Sequence, residues 1–429
     1  MLRRIDLRGT GPAGLRDLPR PSAATPPPAE AVQAIIAEVR AGGDAAVRDC
    51  TERFDKVRID ELRVPAAEID AALAGLTPEL RAALDTALAN ITDYHRGQVT
   101  AERTHERDGI TVRELRRPVQ RAGCYVPGGL APLISTVLMT AVPAWVAGVE
   151  EIVLCTPPGP DGTVAPALLA AAALAGVDEV YRVGGAQAIA ALAYGTESIR
   201  PVDVIVGPGN LWVAQAKREV AASGQVGVPS SFPGPSEVVV VADDSVAAEY
   251  AAVDLMVQVE HGPDGLAWLI TWLPDVADRI EEAVAKLLTD ADRRDVITAN
   301  LEANGYVALV DDAAHAVDVA NAIAPEHLQL MVAGADDLLE RVRNAGAVFC
   351  GPWAPASVGD YLAGPNHVLP TDGTARFAGA LRVDDFVKHV HVVSMDEAAL
   401  ARVAPDVAIL AEAEGLTTHA RSVRIRGEQ

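Results

Sequence analysis

Residues 151–183 read EIVLCTPPGPDGTVAPALLAAAALAGVDEVYRV. The stretch opens on a short apolar run, EIVLC, and crosses a loop rich in proline and glycine. It continues through APALLAAAALAGV, an Ala/Leu segment suited to a helix, and closes on a second short run, EVYRV. Strand, helix and strand in this order form a βαβ unit, whose crossover makes the two strands parallel. The same alternation extends outward. Upstream lie RAGCYV (121–126), the loop PGGLAPLI (127–134) and the helical STVLMTAVPAWVAGV (135–149). Downstream lie GGAQAIAALAYG (184–195), the strand VDVIV (202–206) and GPGNLWVAQAKREVAASG (207–224). Residues 121 to about 225 therefore read as one compact set of βαβ units.

A second series follows. The strand-like runs SEVVVVAD (236–243), LAWLITWL (266–273), GYVALV (305–310), HLQLMV (327–332) and AVFCG (347–351) alternate with helical segments. Near-continuous Val/Ile runs suit strands buried on both faces of a parallel sheet. Residues 30–98 read helical. In TPELRAALDTALANITDYHRGQ, Thr77 is placed to cap the helix, Pro78 to start it, and Leu80, Leu84, Leu88 and Ile91 form one stripe.

The expected fold class is α/β: two Rossmann-like, incomplete doubly wound parallel-sheet domains plus a small N/C-terminal tail region. Residues 30–120 with 237–375 are expected as one domain and 121–236 as the other. Residues 1–29 with 376–429 would form an arm and tail.

A formal charge of −23, from 36 basic and 59 acidic residues, repels phosphate backbones and anionic membranes, so no nucleic acid and no membrane are expected as partners. The four cysteines, Cys50, Cys124, Cys155 and Cys350, show no CxxC spacing. That argues against a disulfide framework and suits buried thiols in a reducing cytoplasm. No apolar segment follows the basic N-terminus, so no signal peptide is expected. The longest apolar run, Thr136 to Val149, contains a proline and is too short to span a bilayer.

GTGPAG (9–14) matches the G-x-G-x-x-G pattern, but it lies in a proline-rich arm without a strand before it, and it is rejected as a dinucleotide fingerprint. Better candidates are the loops YVPGG (125–129), GGAQ (184–187) and GPGN (207–210), each between a strand and a helix N-terminus. Tyr125 could stack on a ring, and Gln187 and Asn210 could donate to ribose or phosphate oxygens. Each loop alone reads first as a tight connection; it is the three in one sheet that suggest a nucleotide crevice.

For a metal, QVEHG offers Gln258 and His261, GDYLAGPNH offers Asp360 and His367, and EGLTTH offers Glu414 and His419. Imidazole, carboxylate and amide donors suit zinc or a similar divalent ion. Each histidine alone reads first as a packing or surface residue. APEHL (324–328) sets Glu326 beside His327. On a regular strand the two would point to opposite faces, so a shared site requires a turn or a strand end there.

Taken together, YVPGGLAPLISTVLM, VGGAQAIAALAYGTESI, VDVIVGPGN, GPSEVVVVAD, QVEHGPD, APEHL, GPWAPASVGDYLAGPNHVLPT and EGLTTHARSV resemble the histidinol dehydrogenase family, in the family's order. The resemblance covers nearly the whole chain after about residue 30; Leu130 and Leu362 are local departures that remove no functional side chain. It implies four-electron oxidation of L-histidinol to L-histidine via histidinal with two NAD+, and one zinc ion (Zn2+) per subunit. Gln258, His261, Asp360 and His419 would bind the metal. Ser236, Gln258, His261, Glu326, His327, Asp360, His367, Glu414 and His419 would form the substrate site. Tyr125, Gln187 and Asn210 would contact NAD, and Glu326 and His327 would be the proton acceptors. The enzyme would be a cytoplasmic homodimer whose tail reaches the partner's site. The rival readings are a related dehydrogenase acting on another amino or sulfonated alcohol, and a non-catalytic metal- or nucleotide-binding protein.

Overall fold

The computed structural model describes residues 2–19, 28–128, 132–229, 234–262 and 264–427. Gly129 and Leu130 of the first glycine loop, and residues 20–27 of the proline-rich arm, lie outside the described residues.

Two parallel sheets carry the α/β architecture. The first has four strands, in the spatial order Glu179–Arg182, Glu151–Thr156, Arg121–Tyr125 and Val204–Val206. The chain walks outward from Arg121–Tyr125 and then returns to its other side, so the order reverses between Arg121–Tyr125 and Val204–Val206. In an open parallel sheet the crevice at the carboxyl ends of such a pair is where ligands sit. At the amino end of Arg121–Tyr125, the buried Arg121 binds Glu151 and Glu179.

The second sheet has six strands, in the order Arg3–Asp6, Gly305–Leu309, Leu266–Thr271, Glu237–Ala242, His327–Met331 and Ala347–Cys350, all parallel. Its order reverses between Glu237–Ala242 and His327–Met331. Both faces are covered. Val238, Val240, Ala267 and Leu269 pack on one side, and Val239, Val241, Trp268 and Ile270 on the other. The unbroken Val run needs no alternation because each face meets helices. Burying each such side chain contributes about 1.5–3 kcal/mol.

Two placements differ from the sequence expectation. Residues 3–6, expected in a free arm, form the edge strand beside Gly305–Leu309. The helix Ala29–Asp55, expected to complete the six-stranded sheet's domain, shares its core with the four-stranded sheet through Val32, Ile36, Val39 and Val47.

Residues 99–119 and 387–429 form a separate compact unit. In it the strand Ile110–Pro118 pairs antiparallel with Arg103–Arg107 on one side and Val387–Met395 on the other. The helices Glu397–Ala413 and Thr417–Arg424 pack through Ala408, Ala411 and Ala420. No helix among the described residues is long and apolar enough to cross a membrane.

Candidate active site

The helix Ala313–Ile323 ends at Ala324, whose φ of +51° is left-handed. Pro325 follows and blocks further helix, and the strand begins at His327. Glu326 therefore precedes the regular pleat, and its carboxylate turns back to lie 3.5 Å from His327 Nδ1. The two adjacent side chains converge because the strand has not yet begun at Glu326.

His327 is 2% exposed. Its Nδ1 lies 3.1 Å from the Glu237 carbonyl oxygen, an acceptor, so Nδ1 carries the hydrogen and Nε2 is left toward the site. Nε2 is 3.4 Å from the Asp360 carboxylate and 3.5 Å from the Gln258 amide. Phe349 stacks on the ring at 6.0 Å between centroids. Burial works against a charged ring, but the carboxylates of Glu326 and Asp360 outweigh it and raise the His327 pKa to about 10. Asp360 is held below its ordinary range: burial opposes this, and the hydrogen bond and charge of His327 prevail.

A side chain the sequence did not single out ties this corner together. Glu237, 1% exposed, opens the neighbouring strand. Its backbone N–H donates to the Glu326 carboxylate at 3.0 Å, and its own carboxylate accepts from the Glu326 N–H at 3.3 Å and the Asp372 N–H at 3.2 Å. The signal was present as one acid at the head of the VVVV run in GPSEVVVV.

Gln258 caps the end of the helix Ala248–Val257 and reaches the Asp360 carboxylate at 3.3 Å. His261 is exposed, lies 3.3 Å through Nδ1 from the Ser236 hydroxyl, and is close enough for its charge to act on Asp360. His367 Nδ1 donates to the Asp360 carbonyl at 2.9 Å. Its Nε2 meets the Thr136 hydroxyl at 3.2 Å, and burial holds its pKa below the ordinary value. The structure thus links Ser236, Gln258, His261, Glu326, His327, Asp360 and His367 in one network at the amino ends of the six-stranded sheet.

Among the described residues no group of three His, Cys, Asp or Glu side chains is arranged to hold a metal. Gln258 and Asp360, with His261 near Asp360, nevertheless supply an amide, a carboxylate and an imidazole. That donor set fits a divalent ion of zinc type, one donor short of a four-coordinate site.

The expected cofactor residues lie at the carboxyl ends of the four-stranded sheet. Tyr125 is 3% exposed and its hydroxyl accepts from the Gly185 N–H at 3.1 Å. Its ring is part of the core, so it offers no free face for stacking, contrary to expectation. Gln187, 1% exposed, has an amide nitrogen with no hydrogen-bond partner. Asn210 accepts from the Trp212 and Val213 N–H groups, each at 3.1 Å, capping the helix Leu211–Ala222. Gly207 has φ +108°, and a Cβ there would lie 2.1 Å from the Tyr125 carbonyl oxygen. Lys217, buried on the next helix, donates through Nζ to the Gly207 carbonyl.

The model of the family described as Histidinol dehydrogenase matches residues 18–427. The chain belongs to the histidinol dehydrogenase family. A histidinol dehydrogenase of Parasynechococcus marenigrum (strain WH8102) is 50% identical over 396 residues, covering 92% of this chain and 90% of that protein. One from Methanothermobacter thermautotrophicus is 45% identical over 393 residues, 91% of this chain and 92% of that protein. The crystal structure of histidinol dehydrogenase from Elizabethkingia anophelis has a TM-score of 0.94 at 33% identity, covering 100% of this chain and 98% of that one. Histidinol dehydrogenases are NAD-dependent oxidoreductases, and the chain is an enzyme of that class.

Two residues that the family resemblance assigns to the site lie in the tail unit: Glu414 just past the end of the helix Glu397–Ala413 and His419 on the helix Thr417–Arg424, both exposed. The four cysteines are free thiols. Burial pushes the thiol pKa up, to about 11 at Cys50 and about 12 at Cys124, and upward at Cys155 and Cys350. A thiolate nucleophile needs the opposite setting.

Proposed function

We propose that the chain oxidises L-histidinol through histidinal to L-histidine with two NAD+, as a cytoplasmic homodimer in histidine biosynthesis. The observation that carries the reading is His327, with Nδ1 fixed on a backbone carbonyl and Nε2 between Asp360 and Gln258, and with a second carboxylate, Glu326, beside it.

In the first half, His327 Nε2 would accept the alcohol proton. In the second, Glu326 would take a proton from water as it adds to the aldehyde; NAD+, where bound, would supply the hydride acceptor for each half. The raised thiol pKa values support this water route over a thioester.

Gln258, His261 and Asp360, with His419 of the partner subunit, would hold one zinc ion per subunit, which would act as a Lewis acid on the substrate's nitrogens. As the chain stands alone, two carboxylates favour a charged His327. With Asp360 committed to a cation, only Glu326 would hold that proton, and His327 would titrate nearer its ordinary range. Ser236, His367 and Glu414 of the partner subunit would line the substrate. Exposed Val393, Ile409, Leu410 and Leu416 of the tail unit support a covering partner.

The cofactor would lie in the crevice between Arg121–Tyr125 and Val204–Val206, contacting Gln187 and Asn210, with the buried Tyr125 fixing the Gly185 turn behind them. The Thr136–His367 contact supports this, because Thr136 belongs to the helix that leaves that crevice.

The test is NADH formed per histidinol consumed, before and after metal stripping and zinc re-addition. About two NADH per substrate, lost and restored with zinc, is expected. A ratio near one removes the second oxidation. No NADH with metal bound points to another substrate.

A further inference from the structure

Among the buried polar atoms without hydrogen-bond partners at the carboxyl edge of the four-stranded sheet are Gln187 Nε2 and Asp55 Oδ2. Such atoms are rare in folded proteins, and each calls for a reason. One is a donor and the other an acceptor. Gln187 already belongs to the proposed cofactor crevice, whereas Asp55 belongs to no motif and to no part of the mechanism.

Asp55 is the last residue of the helix Ala29–Asp55, which stops there because Lys56 takes a left-handed φ of 62°. This helix shares a core with Gly185–Tyr194 and Leu211–Ala222, the two helices whose N-termini rim the crevice. Two contacts fix where its end lies. The Asp55 charge acts on the Tyr125 hydroxyl, the group that accepts from Gly185 N–H. The neighbouring Phe54 lies 6.5 Å from Trp212, two residues beyond Asn210; both are partly exposed, and the Arg53 guanidinium lies 4.5 Å over the Phe54 ring. A carboxylate with a free lone pair and an accessible aromatic pair thus stand side by side at the mouth of a dinucleotide crevice.

We propose that Asp55 binds the hydroxyls of the adenosine ribose of NAD and excludes a 2′-phosphate, while Trp212 and Phe54 offer the adenine a face. This rests on the reading of the crevice as the NAD site. A carboxylate accepts two ribose O–H groups well and repels a phosphate dianion in the same place. The cations nearby are already engaged: Arg53 pairs with Glu38 at 3.0 Å, and Lys56 donates to the Arg53 carbonyl at 2.7 Å. Neither bonds Asp55 Oδ2, whose charge would face a 2′-phosphate. Burial without a partner raises the Asp55 pKa, and ribose hydroxyls would relieve that penalty.

The test is binding of ADP-ribose and 2′-phospho-ADP-ribose to the full-length protein by calorimetry, for the parent, Asp55→Asn, Asp55→Ala and Trp212→Ala. The parent is expected to bind ADP-ribose and to discriminate strongly against the 2′-phosphate form. Both Asp55 variants should fold with an undiminished Tm, since they remove an unpartnered buried charge. They should bind ADP-ribose about tenfold more weakly, and Asp55→Ala should lose much of the discrimination. Trp212→Ala should also weaken ADP-ribose about tenfold while keeping the discrimination. Histidinol binding without cofactor should be untouched in all three. Folded Asp55 variants that bind and discriminate as the parent does would overturn the assignment while leaving the dehydrogenase reading intact. A parent that turns over histidinol with NAD but binds no ADP-ribose would overturn it too, along with the placement of the crevice. A parent inert toward both histidinol and NAD would sink the parent reading itself.

Discussion

Glu326 and His327 sit 3.5 Å apart yet are assigned different proton transfers. Glu326→Gln keeps the shape and the hydrogen bond from Glu237 N–H but cannot take a proton from water. It is expected to oxidise added histidinal at least 100-fold more slowly. Exchange of hydride between labelled NADH and histidinal should persist. Stopped-flow measurement of the two halves separately checks this, and equal loss in both would remove the division of labour. These two residues were legible in the sequence as a titratable pair, but their convergence was not. Strand alternation would have set them apart, and what joins them is a left-handed Ala324, a conformation an alanine rarely takes. Glu237 was hidden for a related reason: its partners are backbone groups 89 and 135 positions away, and no local pattern records them.

At the level of strands and helices, the turn after Val204–Val206 is the most constrained connection described. Gly207→Ala would drive a methyl into the Tyr125 carbonyl at a positive φ. A loss of about 1–3 kcal/mol in urea unfolding is expected, together with weaker NAD binding. Lys217 braces the same turn from inside. Its burial lowers its pKa to about 7, against an ordinary value near 10.5. Between those values the unfolded chain binds the proton and the folded chain does not, so this group makes stability rise with pH across that window. The slope is at most about 1.4 kcal/mol per pH unit. Lys217→Met should remove that component, so the stability of the parent relative to the variant should rise between pH 7 and pH 10; a constant difference would show that Lys217 titrates normally. Most elements of the two parallel sheets could be read from their apolar runs. The strands Arg103–Arg107 and Ile110–Pro118 could not, because the first is polar and exposed, the second is rich in arginine and only partly covered, and the second's outer partner lies near residue 390.

For the whole molecule, the tail unit decides whether a site belongs to one chain or two. If Glu414 and His419 act across a dimer, chains carrying His261→Asn and chains carrying His419→Asn are each inactive. Unfolded together and refolded, they form mixed dimers in which one site holds both lesions and the other neither. Activity should return to about a quarter of the parent's. No recovery in verified mixed dimers would mean that each chain completes its own site. The helices Glu397–Ala413 and Thr417–Arg424 gave the tail away as structured, but its separation into a unit with residues 99–119 depends on pairing that only the folded chain reveals.

The reciprocal bonds between Glu237 and Glu326 make the catalytic corner observable without turnover. The Glu326 amide donates to a buried carboxylate, and the strand it precedes is paired on both sides in a sheet covered on both faces. Its deuterium uptake in heavy water should therefore be slow, and it should quicken in any variant that loosens this corner while leaving the far strands protected. One backbone position thus reports whether an inactive variant has lost its chemistry or its scaffold.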